Sequence, residues 1–109
     1  MIHRADPRYK KGARTLLSRY RTVEERVFYF MRNFEPWTFW DLQSSIRSTF
    51  GEFYGEPTIS AAIRELRRSS SRKKFDFPSD GEVVEKERLQ EGKGYRYQLS
   101  RSVLESWSN

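Results

Sequence analysis

Apolar side chains recur at helical spacing along much of this chain, and each recurrence marks an element. Ala13, Leu16, Leu17 and Tyr20 predict a short helix that packs on the body of the domain. Val23, Val27, Phe30, Met31 and Phe34 form a second stripe, with Thr22 placed to cap it and Pro36 to close it. Glu24 and Glu25 occupy its first turn, where the helix dipole favours negative charge. A third stripe runs through Phe39, Leu42, Ile46 and Phe50, reaching Phe53 if the helix continues that far, opened by Thr38 and Asp41 at capping-box spacing. This helix stops at Gly51, or it continues to Tyr54 and leaves only "GEP" as a turn. The rings at helical period (Phe30, Phe34, Phe39, Phe50) belong to the core, and Trp37 and Trp40 to the core or its edge.

The next helix begins at Pro57 or Thr58 and runs to Arg68. Ile59, Ala62, Ile63 and Leu66 make its buried face, so Ala61, Arg64 and Arg68 point away, flanked by Ser60 and Arg67. The polar stretch 69–82 is either a basic loop or an insertion. After it the period changes to two. "EVVEKERL" and "GYRYQLS", joined by "QEGKG", predict a β-hairpin with a glycine-bearing tip. Tyr95, Tyr97 and Leu99 share one face of its second strand, Arg96 and Gln98 the other. Val103, Leu104 and Trp107 predict a short closing helix.

Composition narrows the chemistry. In 109 residues, 36% apolar and 33% charged, there is room for one small core, helped by 16% aromatic content. Without cysteine, neither a disulfide nor a thiolate metal site can form, and the sole histidine, His3, has no ligand partners. The chain has no glycine-rich phosphate loop and no nucleophile–histidine pair, so no enzyme, cofactor or metal is expected. The longest apolar run, "VFYFM", is too short for a signal peptide or a bilayer span, so a soluble cytoplasmic protein with no membrane partner is expected.

The net charge of +6 is unevenly placed. Residues 1–22 hold seven basic side chains, among them Arg8, Lys10 and Lys11, against Asp6 alone. Residues 64–74 hold Arg64, Arg67, Arg68, Arg72, Lys73 and Lys74 against Glu65 alone. Charge concentrated in this way attracts polyanions. The competing account of the second cluster is a solvated helix face on which Glu65 pairs with Arg64 or Arg68.

The order helix, helix, turn, helix, hairpin resembles a winged helix-turn-helix domain of the small bacterial, archaeal and phage type. "TISAAIRELRR" is similar to its third helix and "VVEKERLQEGKGYRYQLS" to its wing. The resemblance implies an α+β, mostly α fold: a three-helix core plus a two-stranded wing over residues 22–100. A basic arm (1–21) precedes it and a short helix or tail (101–109) follows. It also implies a DNA-binding, nucleoid-associated protein, a small transcriptional regulator or a phage or plasmid accessory factor. Thr58, Ser60, Ala61, Arg64 and Arg68 would face the groove of duplex DNA, and Lys93 and Arg96 would serve the wing. Arg67, Arg72, Lys73 and Lys74, with Arg8, Lys10 and Lys11 of the arm, would hold phosphates. A homodimer reading two half-sites fits the same resemblance. Acidic Glu85, Glu87 and Glu91 among the wing cations suit a protein partner instead.

Overall fold

The structure is a computed structural model and describes residues 16–92 and 94–108. A helical turn at 16–19 leads to α1 (Val23–Met31), α2 (Phe39–Phe50), α3 (Glu56–Glu65) and the short α4 (Ser69–Lys74). The antiparallel hairpin β1 (Val84–Arg88) and β2 (Tyr95–Leu99) follows, and α5 (Arg101–Ser108) ends the described chain. The molecule is α+β and mostly helical. None of the described helices is long and apolar enough to cross a membrane.

The expected capping box at Thr38 forms, and the Thr22 cap is completed into a second one. Thr22 Oγ1 accepts from the Glu25 amide at 3.1 Å, and Glu25 Oε1 accepts from the Thr22 amide at 2.9 Å. Thr38 and Asp41 exchange the same pair of bonds at 3.0 and 3.2 Å. α1 stops at Met31, short of Phe34. The Asn33 side-chain oxygen accepts from the Glu35 amide and from Trp37 Nε1, which turns the chain toward Trp37 and leaves Phe34 at φ 61°.

Gly51, at φ 77°, ends α2, so the turn before α3 runs over residues 51–55. Tyr54 holds that turn in place. Its hydroxyl accepts from Arg26 Nη1 at 3.0 Å, and its carbonyl accepts from Gln43 Nε2 at 2.9 Å. Arg26 is buried; its Nε donates to the Tyr20 carbonyl at 2.9 Å, and its guanidinium lies 4.7 Å from the Phe50 ring centroid. One cation thereby joins α1, the turn and the segment leading into α1.

The core gathers Val27 and Met31 of α1, Leu42 and Ile46 of α2, and Ile59 and Ile63 of α3, with Leu66 just beyond it. Val83, Val84, Leu99 and Val103 close it from the hairpin and α5. The same cluster takes in Phe77, while Phe28, Phe34, Phe75 and Trp107 pack around it as partly buried rings. Trp107 Nε1 also donates to the Asp76 carbonyl at 2.8 Å, so α5 is fastened to the segment after α4.

Three expectations fail here, the first at Phe53, which lies past Gly51 outside α2 and is exposed instead of extending its apolar stripe. The run 69–74 is a helix, because Ser71 Oγ donates to Glu24 and Lys74 Nζ sits 2.9 Å from Glu25 Oε2. Those contacts dock it on α1 although its sequence has no apolar stripe. Trp40, expected in the core or at its edge, is 70% exposed. It follows Phe39 by one residue and so stands about 100° round the helix from the buried stripe.

Candidate functional site

α3 presents two distinct flanks besides its buried face. By helical phase, Glu56, Ser60 and Arg67 lie on one flank, and Ala61 and Arg64 point outward next to it. The contacts show what occupies the first flank. Arg67 Nε meets Glu82 Oε1 at 3.2 Å and Arg67 Nη2 donates to the Val84 carbonyl at 3.4 Å, so the hairpin base lies at the C-terminal end of α3. At the other end, Glu56 lines a groove with Leu89, Gly94 and Tyr95 of the hairpin tip. The hairpin base thus meets the C-terminal end of α3, and the hairpin tip faces its N-terminal end across this groove.

Trp37 fixes it there. Trp37 and Tyr97 exchange two backbone hydrogen bonds of 2.7 Å, which adds a one-residue third strand from the α1–α2 connection. Phe39 at the start of α2 stacks on Tyr97 with centroids 5.0 Å apart and planes 11° apart. Burial pushes the Tyr97 phenol above its ordinary pKa, with Tyr95 adding to the shift and Arg67 opposing it.

The register sorts the hairpin charges by face. Val84 pairs with Leu99, Lys86 with Tyr97 and Arg88 with Tyr95, and directly opposed residues share a face. Lys86 and Arg88 thus stand with the tyrosines, on the side turned toward α2. Glu85 and Glu87 stand on the opposite side with Arg96 and Gln98. Glu85 accepts from the Arg101 amide at the start of α5, and Glu87 pairs with Arg96.

The cationic side chains singled out from sequence therefore separate into groups. Arg64 is exposed and has no ion pair or side-chain hydrogen bond among the described residues. Arg68, beyond the end of α3, has an extended backbone (ψ 153°) as the N-cap of α4. It pairs with Glu65 at 3.0 Å while its side chain stays 70% exposed. Thr58 is exposed, and Ser60 and Ala61 are half-buried. Lys73 is exposed on α4.

Three others are engaged within the fold. Arg67 is tied to the hairpin base. Arg72 donates to the carbonyls of Arg67, Pro78 and Gly81 at 2.8, 3.0 and 2.9 Å. Lys74 pairs with Glu25 on α1. Arg96 faces away from Lys86 and Arg88. Arg8, Lys10, Lys11 and Lys93 lie outside the described residues.

Sequence reasoning passed over Lys86, Arg88, Trp40 and Tyr95 as site residues. Trp40 and Tyr95 line a groove of about 510 Å³ between the hairpin and the starts of α2 and α3, with Phe39, Glu56, Leu89 and Tyr97 among others, and Lys86 and Arg88 stand beside it on the hairpin face of Tyr95. Strand parity puts the two cations on one face of the first strand, and the register then joins that face to Tyr95 and Tyr97. Among the described residues, no group of three or more His, Cys, Asp or Glu side chains converges as a metal site would need. No family model, no curated protein and no solved structure matches the chain.

Proposed function

We propose that this chain is a winged helix-turn-helix protein that binds duplex DNA, with α3 entering the major groove and the hairpin lying along the neighbouring backbone. The observation that carries this reading is the charge sorting beside α3. Arg64 is exposed and unpaired among the described residues, and the hairpin beside α3 carries Lys86 and Arg88 toward α2 while Glu85 and Glu87 turn away. Arg64 is the side chain for a bidentate contact with guanine, with Thr58, Ser60, Ala61 and Arg68 around it. Lys73, Lys86 and Arg88 hold phosphates, and Arg8, Lys10, Lys11 and Lys93 add further positive charge for the same polyanion. Arg67, Arg72 and Lys74 shape that surface by holding the hairpin, the 78–81 loop and α4.

The mixed-charge outer face of the hairpin, with Glu85, Glu87, Arg96 and Gln98, suits a second use, docking of a protein partner, which leaves the α3 side free for DNA. On this reading the protein regulates transcription or serves as a phage or plasmid accessory factor.

Electrophoretic shifts of a generic duplex across a salt series test the binding. Neutralising about five phosphates gives a slope of roughly −4.5 for log affinity against log salt. A slope near zero, or no shift at low salt, rules DNA binding out.

A further inference from the structure

The groove beside the hairpin tip offers more ring surface than contact with phosphates requires. Trp40 is 70% exposed and Tyr95 38% exposed, while the Phe39–Tyr97 stack and Leu89 complete the lining. Lys86 and Arg88 project from the same hairpin face as Tyr95 and Tyr97, and Lys86 Nζ lies 4.7 Å from the Tyr95 centroid. Glu56 is the acidic residue in the lining.

Accessible rings, two cations and one carboxylate match the parts of a nucleotide. A base stacks on the rings, its flanking phosphates meet the cations, and an exocyclic amino group donates to the carboxylate. A base inside a duplex is already stacked on both faces and cannot enter. An apolar peptide side chain would cover the rings but leave Lys86 and Arg88 without an anion. A second copy of the chain would bring the same two cations against their own kind.

We propose that this groove takes an unpaired nucleotide, so that the protein binds most tightly where duplex DNA continues into a single strand. The proposal rests on the duplex-binding reading above and adds a preference to it.

Fluorescence anisotropy on three ligands tests it: a blunt duplex, the same duplex with a short deoxycytidine overhang, and one with an abasic overhang of equal length. The abasic strand keeps the phosphates and removes the rings. The deoxycytidine overhang is expected to bind about tenfold tighter than the abasic one. Trp40→Ala is expected to abolish that difference while shifting the blunt-duplex affinity less than about twofold, and Trp40→Phe to restore most of it. Trp40 is exposed, so circular dichroism of the variants should match the parent.

Equal affinity for the two overhangs, or an advantage that survives in Trp40→Ala, overturns the proposal. So does concentration-dependent dimerisation that Trp40→Ala removes, since a second copy then occupies the groove. A parent protein that binds the blunt duplex but shows no preference between the overhangs rejects the nucleotide site alone. Absence of all binding rejects the duplex reading with it.

Discussion

Arg72 and Arg64 lie eight residues apart in the same basic cluster and do opposite things. Arg72 turns its guanidinium inward to three carbonyl oxygens, which closes the 78–81 loop against α4. Arg64 extends from a well-packed helix into solvent and has no such partner among the described residues. Local charge density is the same for both, so only the tertiary path of the chain separates a structural cation from a binding one. Glu25 shows the same dependence on its surroundings. Burial raises its carboxyl pKa, but the Lys74 ammonium and the Thr22 and Arg21 amides outweigh that and hold it at about 2, below the ordinary 4.5. A depressed folded-state pKa adds stability above the unfolded value and loses it as pH falls toward the folded one. Glu25→Gln keeps an oxygen for the capping box but loses the charge. The parent should exceed this variant by about 1 kcal/mol above pH 4.5. Thermal unfolding followed to acid should show the gap closing as pH approaches about 2, and a gap that does not vary with pH refutes the ion-pair account.

Element boundaries depend on how far the deciding contact lies along the chain. The capping boxes of α1 and α2 are readable because both partners fall within four residues. The end of α2 is not, since Gly51 and Gly55 can each stop a helix, and the choice rests on Arg26 and Gln43 gripping Tyr54. α4 is illegible for the same reason in stronger form: "SSSRKK" has no apolar stripe, and its partners Glu24 and Glu25 precede it by almost half the chain. The faces of the second hairpin strand follow from parity alone. Joining them to the first strand needs the register, which only the fold supplies. Residue type alone puts Trp40 in the core or at its edge, whereas its phase, one residue past Phe39, turns it to solvent. The Gly51 terminus makes a direct test. An added Cβ there has nothing within 4 Å, so the penalty is left-handed backbone strain and not collision. Gly51→Ala should lower unfolding free energy by about 1–2 kcal/mol in urea titrations, and Gly51→Asn by less, because Asn tolerates this region. An alanine variant as stable as the parent would show that the turn relaxes into another conformation.

At the scale of the whole molecule, the net charge of +6 matters less than which face carries each charge. The hairpin is a thin two-stranded ribbon with Lys86 and Arg88 on one side and Glu85 and Glu87 on the other, so a long polyanion meets one sign or the other according to its approach. Steering by net charge alone would treat the two faces alike, whereas docking along α3 would not. Paired neutralisation separates these cases, because all four side chains are exposed and each pair changes the net charge by two. Lys86→Gln with Arg88→Gln should weaken duplex binding about tenfold and reduce the magnitude of the salt slope by about 1.8, the share of two phosphate contacts. Glu85→Gln with Glu87→Gln should leave the slope unchanged and the affinity within about threefold, because those carboxylates face away from the bound duplex and act only through screened distance. Equal and opposite shifts from the two pairs would mean that the hairpin contributes charge without orientation, and the alignment of α3 and hairpin on one duplex would fall.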